Sequence, residues 1–343
     1  MTQSTRTSRG PRRSSAGRTA LVVVLSLLAL CTATGIGLTV GTKLVGLDAV
    51  LRAITDFDGS DLQLVVRESR IPRTVLGLVV GLALGAAGAV MQGLTRNALA
   101  DPGILGVNAG ASVAVAIAVA ALGINAFPQL MAFALVGALI ATIGVVLLGA
   151  AGGGSPVTLV LSGVALAAVL GGITTALVLL NPTAFLHMRS WESGALAGRD
   201  LSILLVAGPA IALGLVLAQL MTRSLNLLAL GDDTAAALGV RIGPLRTGAV
   251  ASVTLLAGTA TAVAGPIAFL GLAAPHIARG IVGPSQKAVV PLSAVIGAIV
   301  MVLGDVVGRV IIAPQEVPVG IVMAFIAAPF LIWIGRRRNP VQM

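Results

Sequence analysis

One proline-containing segment, two histidines and an aspartate–arginine pair are the residues of this sequence whose types and spacing could do chemistry. The segment runs Gly265-Pro-Ile-Ala-Phe-Leu-Gly-Leu-Ala-Ala-Pro-His-Ile-Ala-Arg279. Each proline removes a backbone hydrogen-bond donor, and ionisable side chains are costly in hydrocarbon. Because a membrane tolerates such a segment only against protein or a water-filled cavity, it predicts a broken helix in a transporter rather than in an anchor.

Patterns typical of catalysis or metal binding are absent from the sequence. No phosphate-binding loop of the form G-x-x-x-x-G-K-[ST] occurs, and no His, Cys, Asp or Glu cluster has the spacing of a metal site. His187 and His276 are predicted to lie far apart along the membrane normal. No nucleophile has an evident neighbouring base, so we do not expect catalysis by this chain alone, and energy from ATP would have to come from another subunit.

Asp305 and Arg309 lie four residues apart and therefore share one face of a helix, where they can neutralise each other. A proton- or sodium-coupled carrier usually needs acidic groups near the bilayer midplane. This pair is predicted near the outer end of its span. The sequence therefore disfavours a secondary transporter, which stays an alternative together with a non-transporting membrane scaffold.

The elements that must position these groups are membrane helices. The 343 residues are 57% hydrophobic and 10% charged, whereas soluble domains contain about 25% charged residues. A bilayer is crossed by about 20 apolar residues. The sequence predicts an all-α polytopic membrane protein with about ten transmembrane helices, at 19–42, 73–95, 104–122, 127–150, 156–180, 200–222, 246–264, 267–279, 288–310 and 318–335.

Charge predicts the orientation of these spans. Ten spans place both termini on one side, and a cytoplasmic assignment puts 14 of the 22 basic residues inside with three acids, against 8 basic and 9 acidic residues outside. The net charge of +10 then reflects topology, and no nucleic-acid partner is expected. We predict a multi-pass protein of a bacterial cytoplasmic membrane, with a disordered cytoplasmic N-terminus (1–18), a transmembrane domain (19–336) and a cytoplasmic tail (337–343).

Two further patterns concern the packing of helices and the residues at which helices start and end. Gly77, Gly81 and Gly85 lie four apart, as in closely packed membrane helices, although 43 glycines also produce such spacings by chance. In the inner loop, Gly231-Asp-Asp-Thr can begin a helix, Gly239 can follow its C-cap, and Pro244 can open a second turn. The loop thus predicts two short helices across the cytoplasmic face. An ordinary connector and a docking surface are equally compatible with this pattern.

An ordered set of motifs covers roughly residues 60–335. They are Arg70-Ile-Pro-Arg73, Gly81 to Gln92 and Arg96-Asn97 to Gly106; Leu230 to Val240; Gly265 to Arg279; and Gly304-Asp305 with Arg309, Glu316-Val-Pro318-Val-Gly320 and Pro329-Phe330. In this order they resemble the permease subunits of ABC importers for iron–siderophores, haem and cobalamin, the FecCD family. Ala98 is a departure, because the family usually has proline there.

The resemblance implies a type II ABC importer permease fold and a homodimer, or a heterodimer with a related permease, with the substrate path along the dimer interface. Two cytoplasmic ATPase subunits would carry ATP and Mg, so this chain would be no enzyme and would bind no cofactor. An extracytoplasmic binding protein would deliver the substrate. A ferric siderophore is the favoured substrate, and haem and cobalamin are the alternatives.

The resemblance also implies roles for individual residues. The coupling segment 231–245 would dock to the ATPase through Gly231, Asp232, Asp233, Thr234, Ala235, Ala236, Leu238 and Gly239. Acidic residues of the binding protein would pair with Arg70, Arg73 and Arg309, of which the first two could also be interfacial anchors. A structural turn and the translocation path would involve Gln92, Arg96, Asn97, Pro102, Gly265, Pro266, Pro275 and His276. The first four would mainly satisfy freed backbone groups. No metal ligand is expected, since the substrate is already chelated.

Overall fold

The structure, a computed structural model, describes residues 16–336, and within that range every regular element is a helix. The helices are α1 (Ala16–Thr39), α2 (Leu47–Thr55), α3 (Asp61–Leu64), α4 (Ile71–Thr95), α5 (Val107–Leu122), α6 (Phe127–Ala151), α7 (Pro156–Leu180), α8 (Pro182–Glu192), α9 (Leu204–Leu228), α10 (Asp232–Ala237), α11 (Ile242–Val253), α12 (Thr259–Ala264), α13 (Leu270–Val282), α14 (Gln286–Val310) and α15 (Val319–Arg336). Short 3-10 turns (Pro102–Leu105 and Leu201–Ile203) and π-helical segments (Val65–Arg70 and Thr254–Gly258) join some of them.

The predicted spans correspond to these helices. Within residues 16–336, seven helical stretches are long and apolar enough to cross a membrane, and three shorter apolar helices, α5, α13 and the greater part of α15, accompany them. The prediction of an all-α polytopic fold is confirmed. Helix α1 begins at Ala16, within the segment predicted to be disordered. The rest of that segment (1–15) and the predicted tail (337–343) lie outside the described residues.

The segments between the spans are more helical than expected. The prediction of two short helices in the inner loop was wrong. Only α10 is a separate short helix there, because from Ile242 the chain continues as helix to Ala264, and Pro244 lies in the first turn of that span. The segments left between predicted spans at 43–72 and 181–199 also contain helices, namely α2 and α3 in the first and α8 in the second.

Helix α4 lies at the centre of the bundle and packs closely on α14 and α13. A Cβ atom at Gly81 would overlap the backbone of Gly297, and one at Gly85 would overlap that of Ser293. Gly88 makes the same kind of contact with Gly271 of α13. The predicted small-residue packing is confirmed at Gly81 and Gly85, whereas Gly77 faces side chains only.

The two ends of the bundle carry different elements. The α10 end carries α10, the C-terminus of α4 and the N-terminus of α11. The α2 end carries α2, the N-terminus of α4 and the loop 311–318. Three clusters of polar and charged side chains join the helices, one at each end and a third where α4 meets α13, of which the cluster at the α10 end is partly exposed.

Candidate functional site

The predicted coupling segment forms a capped helix at the α10 end. Gly231, with φ +105°, precedes the helix, and Asp232 and Asp233 occupy its first turn, where negative charge is favourable. At the other end, Gly239 adopts φ +87°. Its N–H donates to the Ala236 carbonyl (2.9 Å), and the next N–H donates to the Ala235 carbonyl (3.0 Å), which is a Schellman termination. The predicted start and stop of this helix are confirmed.

Asp232 connects this helix to three other parts of the chain. Its Oδ1 lies 3.2 Å from Nη2 of Arg96, which ends α4, and its Oδ2 lies 2.6 Å from Nη2 of Arg246 on α11. Arg246 Nη1 also donates to the Gly154 carbonyl in the α6–α7 turn (2.8 Å). These side chains are about one-third exposed, so each pair contributes roughly 0–1 kcal/mol. The cluster therefore mainly orients α10 relative to α4 and α11.

The remaining coupling residues differ in exposure. Ala235 is fully buried and attaches α10 to the bundle. Asp233, Thr234, Ala236 and Gly239 are exposed, and Leu238 exposes 56% of its surface. The neighbouring Leu230 is 61% exposed. Two large apolar side chains are therefore exposed at the two ends of a short helix outside the spans.

Gln92 joins α4 to the proline-containing helix α13. Its Nε2 lies 3.3 Å from the carbonyl oxygens of both Gly271 and Leu272. Pro275, four residues after Gly271, has no N–H, so the Gly271 carbonyl lacks its helical donor. The Gln92 side chain supplies a donor in its place, as expected for a residue that satisfies freed backbone groups. Its Oε1 accepts a hydrogen bond from the buried guanidinium of Arg279.

The other predicted turn residues follow α4 directly. Arg96 adopts the left-handed conformation (φ 51°), and Asn97 Oδ1 accepts from the Leu99 N–H (2.9 Å). Asp101 Oδ1 accepts from the Gly103 N–H (2.8 Å), while burial raises the pKa of this carboxyl. Pro102 opens the 3-10 turn before α5 and covers Gly271, where a Cβ would lie 2.7 Å from the proline Cδ.

The predicted break lies between α12 and α13, at 265–269. Gly265 has φ +78°, and a Cβ there would overlap the Trp191 carbonyl. The Pro266 carbonyl likewise leaves no room for a side chain at Gly194, so the break packs against the loop that follows α8. Phe269 ends the break with φ +76°, an unfavourable conformation for a bulky residue. The broken helix is confirmed, although helix continues through Pro275.

His276 lies one residue beyond Pro275 and is half-buried, with its ring 5.9 Å from that of Phe330 in an edge-to-face arrangement. Among residues 16–336, no three His, Cys, Asp or Glu side chains come together as a possible metal site.

The three predicted docking arginines lie at the α2 end. Arg73 pairs with Asp305 (Nη2–Oδ1 2.8 Å) and with Glu316, and Arg309 Nε lies 2.8 Å from the other Asp305 oxygen. Arg309 also donates to the Gly37 carbonyl of α1 (2.8 Å). Arg70 donates to the carbonyls of Leu38 (3.2 Å) and Lys43. The cluster thus joins α1, α4, α14 and the 311–318 loop.

This arrangement turns the three arginines inward. Arg70, Arg73 and Arg309 are 4%, 6% and 3% exposed, whereas the side chain of Glu316 is 35% exposed. Buried charges need partners, and here the chain itself provides them. A docking role for these arginines stays a prediction, and in this conformation it would require Glu316 or the surrounding loop to move.

Comparison with known proteins gives full-length matches. The model of the FecCD transport family matches residues 25–337. The ferric enterobactin transport system permease protein FepD of Escherichia coli (strain K12) is 44% identical over 322 residues, covering 93% of this chain and 96% of the relative. The Fe(3+)-citrate import system permease protein YfmD of Bacillus subtilis (strain 168) is 37% identical over 317 residues, covering 92% and 95%.

The fold also matches a solved structure described as an inward-facing conformation of a metal-chelate type ABC transporter. Its TM-score is 0.82 at 26% sequence identity, covering 93% of this chain and 99% of the other. Two import systems of B. subtilis each include two permeases similar to this chain, YfmD and YfmE for Fe(3+)-citrate and FhuB and FhuG for iron(3+)-hydroxamate.

Proposed function

Because this chain belongs to the FecCD transport family and is a permease subunit of an ABC importer, we propose that it carries a ferric siderophore across a bacterial cytoplasmic membrane. The observation that supports this cargo most strongly is the full-length identity to permeases named for iron(III) chelates. Haem and cobalamin are the alternative cargoes. The chain is a transport subunit rather than an enzyme, and we propose that ATP and Mg bind only to the separate ATPase.

The α10 end is proposed to face the cytoplasm and the ATPase. Basic side chains follow or flank the helices at this end, among them Arg96, Arg241 and Arg246, as the positive-inside rule expects. The exposed Leu238 and Ala236 would contact the ATPase, and Asp232 would pass the movement of α10 to α4 and α11. Alternating access would then follow from a rigid-body movement within a permease pair.

A second permease chain is the proposed partner of that pair. The two B. subtilis systems with two related permeases each support a heterodimer, while a homodimer is the alternative. Helix α7 is a candidate contact, because only 11% of the residues in its apolar stretch are buried within the chain. Its exposed Gly171 and Gly172 also have open space around them. Small residues on an exposed face are typical of helix packing in membranes.

An ion-coupled carrier is disfavoured by the surroundings of Asp305. Arg73 and Arg309 contact the two oxygens of this buried carboxylate, which leaves neither open to a coupling sodium ion in this conformation. Such a carrier would take up its substrate without an ATPase.

The proposed function is tested by reconstituting the chain with its ATPase, its binding protein and any second permease in proteoliposomes. Uptake of iron-55 is measured on a panel of siderophores, with haem and cobalamin as alternative substrates. Uptake that needs ATP and both partners, for one siderophore, is the expected result. ATP-driven uptake of haem or cobalamin instead would contradict the cargo, and uptake without the ATPase would contradict the mechanism.

Two variants test the proposed contacts. Ala236→Trp should uncouple ATP hydrolysis from the permease, and unchanged stimulation of the ATPase would count against α10 as the contact.

Reversing the charge of Arg70 and Arg73 together should reduce uptake while the chain still inserts. Normal uptake by this double variant would rule out docking through these arginines.

A further inference from the structure

A groove of about 480 Å³ separates the first half of α1 from the corner between α13 and α14. Arg18 and Lys287 line it at the α10 end, in the first turns of α1 and α14. From there the walls are mainly apolar, with Val22, Val23 and Leu27 on one side and Pro291, Leu292 and Val295 on the other.

The mouth of the groove is positively charged. No acidic side chain is among the residues that line it, and within residues 16–336 neither Arg18 nor Lys287 forms an ion pair. Arg18 donates one hydrogen bond, to the Ile281 carbonyl (3.2 Å), and Lys287 is exposed. Helix α14 also begins here without an acidic residue in its first turn, which adds positive potential from its N-terminus.

The depth of the groove suits a chain rather than a small anion. Arg18 and Leu27 are nine residues apart, so at about 1.5 Å per residue the apolar wall extends roughly 13 Å along α1. Few residues of α1 pack against the rest of the bundle, since only 11% of the residues in its apolar stretch are buried. A free phosphate would neutralise the mouth and leave these walls unused.

We propose that this groove binds an anionic phospholipid of the leaflet at the α10 end. Its phosphate pairs with Arg18 and Lys287, and one acyl chain lies between α1 and α14. Basic pockets between membrane helices bind anionic headgroups, and basic residues near an anionic leaflet are attracted to it. The bound lipid then supplies packing that links α1 to the bundle. This inference does not depend on the cargo.

To test this proposal, the permease complex is placed in nanodiscs of phosphatidylcholine that contain increasing fractions of phosphatidylglycerol. The number of phosphatidylglycerol molecules that stay bound is then counted by native mass spectrometry. Arg18→Gln with Lys287→Gln should weaken retention by about 30-fold, which corresponds to roughly 1 kcal/mol per residue. Val23→Trp keeps both charges and fills the apolar wall, so it should also displace the lipid. The control, Arg223→Gln with Arg336→Gln, removes two exposed charges outside the groove and should change nothing.

Three results would overturn the proposal. They are unchanged retention in the double glutamine variant, unchanged retention in Val23→Trp, and displacement of the lipid by inorganic phosphate at matched concentration. The last result would assign the mouth to a free anion instead.

Discussion

Replacing Gln92 by leucine should destabilise the junction between α4 and α13 without opening a cavity, since the two side chains have similar volumes. The Gly271 carbonyl would lose its donor, and an unsatisfied buried polar group costs about 1–3 kcal/mol. The Arg279 guanidinium would lose a charge-assisted hydrogen bond, worth about 1.5–3 kcal/mol. The free energy of unfolding should therefore fall by about 3 kcal/mol or more.

A second substitution separates these two contributions. Pro275→Ala restores a backbone N–H four residues after Gly271, so the freed carbonyl regains a helical donor. In a chain that carries Pro275→Ala, Gln92→Leu should lower the free energy of unfolding by about 1–3 kcal/mol less than it does in the unaltered chain. The reason is that only the hydrogen bond to Arg279 is then lost. Equal costs in the two backgrounds would refute the view that Gln92 serves the proline-freed carbonyl.

The assay is the midpoint of thermal unfolding of the purified complex in detergent. At roughly 2 °C per kcal/mol, Gln92→Leu should lower it by about 6 °C or more. Thr95→Val is the matched control, because Thr95 lies one turn further along α4 and its hydroxyl bonds within its own helix (2.8 Å to the Met91 carbonyl). The control should unfold within about 2 °C of the unaltered complex.

Three further substitutions test other contacts. Asp232→Asn should lower substrate-stimulated ATP hydrolysis while stability changes by no more than about 2 kcal/mol, since two partly exposed pairs are weakened, and the exposed Asp61→Asn in α3, outside the coupling segment, should leave hydrolysis unaltered; equal loss in both would argue against the Asp232 cluster. Gly88→Ala should cost about 1–3 kcal/mol in thermal unfolding because its Cβ meets α13, whereas Gly208→Ala in α9, where a Cβ has open space around it, should be tolerated. Glu316→Gln should cost about 1–3 kcal/mol, measured the same way, because Asp305 is shared between Arg73 and Arg309 and the buried Arg73 loses its second partner, and no measurable loss would mean that Glu316 is dispensable to the cluster.

The spans and the helix break could be predicted because each depends on local properties of the chain. Run length and hydropathy define a span, and the break follows Gly265, whose φ is positive and which precedes Pro266, whereas single prolines inside α9, α13, α14 and α15 do not interrupt those helices. The first turn of α11 was misassigned for a related reason. Pro244 is compatible with the start of any helix, and the sequence does not distinguish a separate short helix from the beginning of a span.

Most contacts within the polar clusters could not be predicted from local sequence. Asp305 and Arg309 could be paired from the sequence because they are four apart on one helix. Arg73 reaches the same aspartate across 232 positions, and Arg279 reaches Gln92 across 187. Such pairs depend on which helices become neighbours. The family resemblance predicts that Arg70, Arg73 and Arg309 dock a binding protein, which stays a prediction, and in this structure their side chains bond within the chain because the helix ends converge at the α2 end.

Helix α4 is held along its whole length, and this constrains how any movement of α10 can travel. Arg96 ties its end to Asp232, Gly81 and Gly85 bring its backbone against α14, and Arg73 joins it to Asp305 on that same helix. Since close-packed backbones with a buried ion pair cannot slide easily, α4 and α14 should move as one body. Helix α7 packs mainly on α5 and α6 and has no comparable tie to α4 or α14 among the described residues. A pull on Asp232 is therefore expected to move α4 and α14 together, while the hydrogen bond from Arg246 to the Gly154 carbonyl carries part of the same movement to the α6–α7 turn.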